Sequence, residues 1–389
     1  MRLSDRDYAE IDRRLAAHDA FLRARYPGER AGRQPVHTVY VPADRLDGFR
    51  DWGAIALQAM DEHDFPWPDP SVRAKLTREP IEDLRVDFED GYGVRDDDQE
   101  DAAVRKAAGI LAGGATPPFL GVRIKSLEAA TRRRSLRTLD LFLETYQDLF
   151  TITLPKVSGT DQVTAMVTLC EKLEQSYGLS TGALTFEIQV ELPSAVLAAD
   201  GSATVARLIT AAGGRCTGLH YGTYDYSAAA GVAAAYQSME HPAADYAKAV
   251  MQAAAAQTGV RLSDGSTNIL PLGDSTQVRA AWELHHRLVR RSLERGFYQG
   301  WDLHPAQLPS RYAATYAFFR DGRDAAAERL HRYLGRQESG IADEPATARA
   351  LAGYLLRGLD CGAFEDAGFP RDELIALSRP ETNMEIDLN

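Results

Sequence analysis

Eight short apolar runs alternate along the chain with segments that have the spacing of amphipathic helices. The runs are HTVYVP (37–42), LRVDFED (84–90), FLGVRIK (119–125), FTITLPK (150–156), TFEIQVEL (185–192), TGLHYGTYD (217–225), a weaker VRLSDGS (260–266) and FYQGWDLHP (297–305). Each is short, rich in β-branched or aromatic residues and bounded by turn residues, as strands are. Between them lie DDDQEDAAVRKAAGILAG, LEAATRRRSLRTLDLFLETYQDL and GTDQVTAMVTLCEKLEQSYG, whose apolar positions recur three or four apart.

Parallel neighbours need a crossover, and a helix between strands supplies it. Eight such units predict a closed (β/α)8 TIM barrel. A doubly wound sheet would show a glycine-rich phosphate loop after its first strand, whereas here that strand runs into VPADRLDGF. The expected organisation is an N-terminal helical extension over 1–36, a barrel over 37–320 and a C-terminal helical tail over 321–389, with the tail packing on a neighbouring subunit. In the tail, Asp343 before Pro345 has the pattern of a helix cap.

A formal charge of −12 argues against a nucleic-acid surface, which needs Lys and Arg in excess. Arg132 to Arg134, the one basic cluster, has the pattern of a solvated helix face. No apolar run reaches the roughly 18 residues of a membrane span, and the charged N-terminus does not resemble a secretory signal, so the cytoplasm is expected. Three cysteines, Cys170, Cys216 and Cys361, lie far apart without a CxxC pair and are expected to be reduced and buried.

The chemistry of a barrel sits at the C-terminal ends of its strands. There the chain carries Asp87, Glu89 and Asp90, then Arg123 and Lys125, Lys156, Glu191, Asp225, and finally Asp302 and His304. Three carboxylates crowded into DFED repel one another unless a positive charge lies near. Converging carboxylates with Arg and Lys among them suit a hard divalent cation such as Mg2+, which takes oxygen ligands and keeps several waters. Glu191 and Asp225 are the candidate ligands, each following a largely apolar run. The alternatives are that Glu191 pairs with Arg123 or Lys156, and that Asp225 caps a helix.

Through VYVPADRLDGF, RVDFEDGYG, GVRIKSL, LPKVSG, IQVELPSAV, HYGTYDYSA, GFYQGWDLHPAQL and GIADEPATARA, the chain resembles the citrate lyase beta-subunit-like branch of the HpcH/HpaI aldolase superfamily. That resemblance implies an Mg2+-dependent barrel, with Mn2+ an alternative ion, acting on 2-oxo acids and acyl-CoA esters as a homo-oligomer, a trimer or hexamer. It implies Arg123 as the substrate-binding arginine, Glu191 and Asp225 as metal ligands, and Glu89 with Asp90 as an acidic pair beside the metal. From their places at the strand ends, Asp87, Lys125, Lys156 and His304, together with Glu89 and Asp90, are candidates either to bind substrate or to support the residues that do. The chain departs from the family where Arg123 is followed by Ile124 and Lys125 rather than x-Asn, and where Glu-Thr becomes Glu191-Leu192.

The implied reaction is carbon–carbon bond cleavage or formation through an enolate, with Arg123 steadying the oxygen that gains charge. Asp343 would be the proton acceptor, reaching a neighbouring subunit's site. Competing readings are a CoA-independent pyruvate aldolase using His37 as base, an enzyme of phosphoenolpyruvate-like acids, and a barrel that only binds or assembles.

Overall fold

The computed structural model describes residues 3–148, 150–335 and 344–379. Eight parallel strands are present: β1 (His37–Pro42), β2 (Asp83–Asp87), β3 (Phe119–Arg123), β4 (Thr151–Leu154), β5 (Thr185–Val190), β6 (Cys216–Tyr221), β7 (Arg261–Ser263) and β8 (Gly300–Asp302). They form one sheet in the order β7-β6-β5-β4-β3-β2-β1-β8. Its two ends meet, because the Asp264 N–H donates to Gln299 O at 2.8 Å and the Trp301 N–H to Gly265 O at 3.2 Å. The (β/α)8 barrel is therefore closed, and Val39, Leu84, Val122, Ile152, Ile188 and Leu219 are buried in the core.

The crossover helices follow their local signals. Asp97–Ala112 is capped by Asp96, whose carboxylate accepts from the Gln99 N–H. Thr160–Tyr177 stops at Gly178, which takes the left-handed conformation that glycine adopts without a Cβ penalty. After the barrel, the helix Leu308–Leu334 runs unbroken through position 320, and Pro345–Cys361 and Arg371–Ser378 follow. Leu330, Ala352, Leu355 and Leu374 form a second small core there. Glu344 is the N-cap of Pro345–Cys361, while Asp343 lies outside the described residues.

Two expectations change. Arg132 and Arg133 are exposed, but Arg134 turns inward to Asp101 at 2.6 Å and Glu100 at 3.2 Å, so that end of the basic cluster is an ion-pair site. The strands also stop earlier than their apolar runs suggest, since a run can stay extended after its neighbour has ceased to pair. The sixth ends at Tyr221, and Asp225 lies instead in the first turn of the helix Thr223–Ala229. The three cysteines are free and buried, as expected.

Candidate functional site: an acidic mouth above a polar barrel interior

Alternate residues of a strand point to one face. Asp83, Arg85 and Asp87 share one face of β2, and on β5 Glu187 shares a face with Gln189 and, just past the strand, Glu191. Arg85 Nη2 reaches Glu187 Oε2 at 2.9 Å, and Arg85 Nε donates to Thr153 Oγ1 at 3.2 Å. These bonds join β2 to β5 and β4, so they cross the barrel interior. Arg85 also pairs with Asp83. Glu187 Oε2 lies 3.1 Å from His220 Nε2, and Trp301 Nε1 donates to His220 Nδ1 at 3.0 Å. Burial favours a protonated Glu187, but Arg85 and His220 outweigh it and hold the carboxyl far below its ordinary value.

One layer higher, Asp87 receives four donors. Arg123 Nε and Nη2 each lie 2.7 Å from its oxygens, and the backbone N–H groups of Glu89 and Gly91 donate at 2.9 Å. This turn requires glycine, since a Cβ on Gly91 would lie 2.5 Å from Asp87 Oδ2. Arg123 also stacks over the Tyr40 ring at 4.6 Å, leaving Nη1 facing Glu89 at 3.3 Å.

At the mouth, one ammonium faces four carboxylates. Lys156 Nζ lies 2.8 Å from Asp225, 3.1 Å from Asp90, and 3.6 Å from both Glu89 and Glu191. The Lys156 backbone N–H donates to Glu191 Oε1 at 2.6 Å. Its φ is +52°, a conformation that costs a non-glycine residue about 1 kcal/mol or more. Gly222 lets β6 approach Glu191 closely, because a Cβ there would lie 2.4 Å from the Glu191 Cβ.

The carboxylates outnumber the cation, and their proton affinities reflect it. Burial, opposed by Lys156 and reinforced by Asp225, pushes Glu191 up to about 7. Burial, opposed by Arg123 and reinforced by Asp90, pushes Glu89 to about 7 as well. Burial also acts on Asp90, but Lys156 outweighs it and draws that carboxyl below its ordinary value.

The structure thus brings Asp87, Glu89, Asp90, Arg123, Lys156, Glu191 and Asp225 together. Lys125 turns away, donating to Phe88 O at 2.6 Å and to Glu100 at 2.7 Å. His304 caps the turn Pro305–Gln307 through Nδ1, which accepts from the Ala306 N–H at 3.1 Å. Asp302 pairs with Arg311 at 2.8 Å and with His37 at 2.8 Å. His37 starts β1, at the end of the barrel opposite the mouth. It also accepts from the Glu82 N–H at 3.0 Å, so both ring nitrogens are engaged and it is no base for the mouth.

Two side chains escaped the sequence reading. Gln189 is fully buried between Glu187 and Glu191 with neither amide atom bonded, and the Tyr40 hydroxyl is likewise unpartnered. Period-two polar residues in TFEIQVEL and HTVYVP were the available signal. Among the described residues, no three His, Cys, Asp or Glu side chains form a metal cage ready made. A cavity of about 580 Å3 beside Arg78, Tyr316 and Phe369 lies away from the mouth and contains none of these groups.

Fold and site together define a (β/α)8 barrel with an acidic C-terminal mouth. The same fold occurs in CitE of Mycobacterium tuberculosis, seen in complex with magnesium, acetoacetate and coenzyme A, at 19% identity and a TM-score of 0.52 over 83% of this chain and 99% of that one. It also occurs in a lead(II) complex of Haloferax volcanii malate synthase, at 14% identity and a TM-score of 0.53 over 90% and 89%. A pyruvate/acetyl-CoA ternary complex of that malate synthase matches at 12% identity and 0.51 over 84% and 91%. The chain belongs to the family described as a domain of unknown function (DUF6986), whose model matches residues 15–381. No curated protein matches it. Among the described residues, no helix is long and apolar enough to cross a membrane.

Proposed function

We propose that this protein is a metal-assisted carbon–carbon lyase or synthase that works through an enolate on a 2-oxo acid and an acyl-CoA ester. The observation that carries the reading is the set of four carboxylates, Glu89, Asp90, Glu191 and Asp225, around the single Lys156 ammonium. All their donors are oxygens, and one ammonium leaves most of their charge unbalanced. That donor set fits Mg2+, or Mn2+ in its place, which is commonly held by one or two carboxylates together with the substrate. The magnesium, acetoacetate and coenzyme A bound by CitE on the same fold agree with this reading.

Glu191 and Asp225 would hold the ion, the first buried and the second 45% exposed at the edge of the mouth. When bound, Mg2+ supplies a Lewis acid that polarises the substrate carbonyl and orients it. Arg123 is held in place by Asp87, and its Nη1 edge is the part that can steady a developing negative oxygen. Lys156 lies between Glu89 and Asp90 and lessens their repulsion. The proton acceptor in this reading is Asp343 of a neighbouring subunit, within the homo-oligomer that the reading entails.

Calorimetry on the wild type and Glu191→Gln tests the proposal, with Mg2+ titrated first, then pyruvate or oxaloacetate, then acetyl-CoA. The expected result is binding of the 2-oxo acid that requires Mg2+ and is lost in the variant. Equal binding in EDTA, or unchanged Mg2+ affinity in Glu191→Gln, would overturn it. Acid binding without any acetyl-CoA binding would select the CoA-independent aldolase.

A further inference from the structure

Backbone strain at the mouth falls on Lys156, where a glycine would serve the backbone better. Lys156 holds φ at +52°, and its N–H donates to Glu191 Oε1 at 2.6 Å. Glycine would make the same hydrogen bond in that conformation without the penalty that a Cβ brings. The backbone contact therefore gives no reason for a lysine, and the reason lies with the ammonium.

That ammonium touches both of the carboxylates assigned to the ion. Nζ lies 2.8 Å from Asp225 and 3.6 Å from Glu191, with Asp90 at 3.1 Å and Glu89 at 3.6 Å. A divalent cation bound to Glu191 and Asp225 would meet a positive charge already on the same two groups. Mg2+ carries twice that charge and draws its oxygens in to about 2.1 Å, closer than an ammonium can approach them, so the ammonium is the cation that yields. Two features let it leave. Glu191 is held by the Lys156 backbone, a contact that survives when the side chain swings, and the four-carbon stem is flexible. The acids that are not ligands set the direction. Glu89 is buried and already faces Arg123 at 3.3 Å, whereas Asp90 is 59% exposed at the rim.

We propose that the Lys156 ammonium is an internal counter-ion that fills the cation site between Glu191 and Asp225 and is driven outward, onto Asp90, when a divalent cation binds. The exchange rests on Glu191 and Asp225 being the ligands, and it adds to them a residue that sets the affinity of the site.

Amine footprinting of the full wild-type chain reads the exchange without any turnover. The protein is acetylated briefly with a water-soluble succinimidyl ester, in EDTA and in saturating Mg2+. Mass spectrometry then compares the yield at Lys156 with that at Lys172, an exposed lysine on the helix Thr160–Tyr177. The Lys156 side chain is 18% exposed, and its labelling relative to Lys172 should rise several-fold with Mg2+. Removing the competitor should also tighten the site, so Lys156→Met should bind Mg2+ about 10-fold or more tightly in calorimetry. Relative labelling that stays level or falls at saturation would mean that Lys156 keeps its contacts beside the ion, and overturns the proposal. So does unchanged or weaker Mg2+ binding in Lys156→Met. Absence of Mg2+ binding to both proteins breaks the ligand assignment and the exchange with it, an outcome distinct from binding without displacement.

Discussion

Glu187 and Glu191 stand four residues apart on the same face of the same run, yet their surroundings drive them in opposite directions. In the barrel interior, Glu187 meets Arg85 and His220 and is held ionised far below its ordinary value. At the mouth, Glu191 shares Lys156 with three other carboxylates and is pushed up to about 7. Glu187 is compensated by the guanidinium and imidazole it touches and has the character of structure. The mouth carries excess charge that an incoming cation can relieve, which is the state expected of a binding site.

The largest break in that contrast comes from the interior. Arg85→Met leaves Asp83 and Glu187 buried without their guanidinium, and urea denaturation should show a loss of about 3–5 kcal/mol. Next, Glu187→Gln should cost about 1.5–3 kcal/mol, the worth of hydrogen bonds to a charged group. Glu191→Gln, just past the same strand, should have the opposite sign. At pH 8 in EDTA it should gain about 1–3 kcal/mol while abolishing Mg2+ binding, a stability gain bought with function. A loss of stability in Glu191→Gln would mean that Glu191 is as well compensated as Glu187.

The pH dependence sharpens the same division. Glu89 and Glu191 have folded values near 7, above the ordinary 4.5, so the unfolded chain ionises them first. Stability in EDTA should therefore fall as pH rises from about 4.5 to 7, and thermal melts should show this slope flattened in the double variant Glu89→Gln/Glu191→Gln. Glu187 acts the other way: its contribution is complete above the ordinary 4.5 and is lost only as pH falls toward its much lower folded value. The smallest effect belongs to Asp225→Asn. Its side chain is 45% exposed, so stability should change by less than about 1 kcal/mol while Mg2+ affinity drops.

The strand count and the barrel were legible because periodicity is a local property. HTVYVP matches β1 over its whole length. β2 to β7 start within one residue of expectation and β8 starts three residues late, but all end early, most plainly at HYGTYD, where Asp225 belongs to a helix. A strand ends where its neighbour stops pairing, and that neighbour is distant in sequence. Within the site, the carboxylates of DFED were visible, but not their division of labour. Asp87 is consumed in holding Arg123 and the turn through Gly91, while Glu89 and Asp90 face Lys156. Lys125, Asp302 and His37 are engaged instead by Glu100, Arg311 and Asp302 within the scaffold.

By itself, the sequence determined the alternation of strand and helix, the polar face of each inward strand and the set of charged residues at the strand ends, since each depends on neighbours a few positions away. Only the tertiary structure decided which charge meets which. Arg85 reaches Glu187 across 102 positions, and Lys156 gathers Glu89, Asp90, Glu191 and Asp225 from three other strand ends. Whether a carboxylate is a strut or a ligand depends on the cations within a few ångströms of it, and closure of the barrel is what sets those distances.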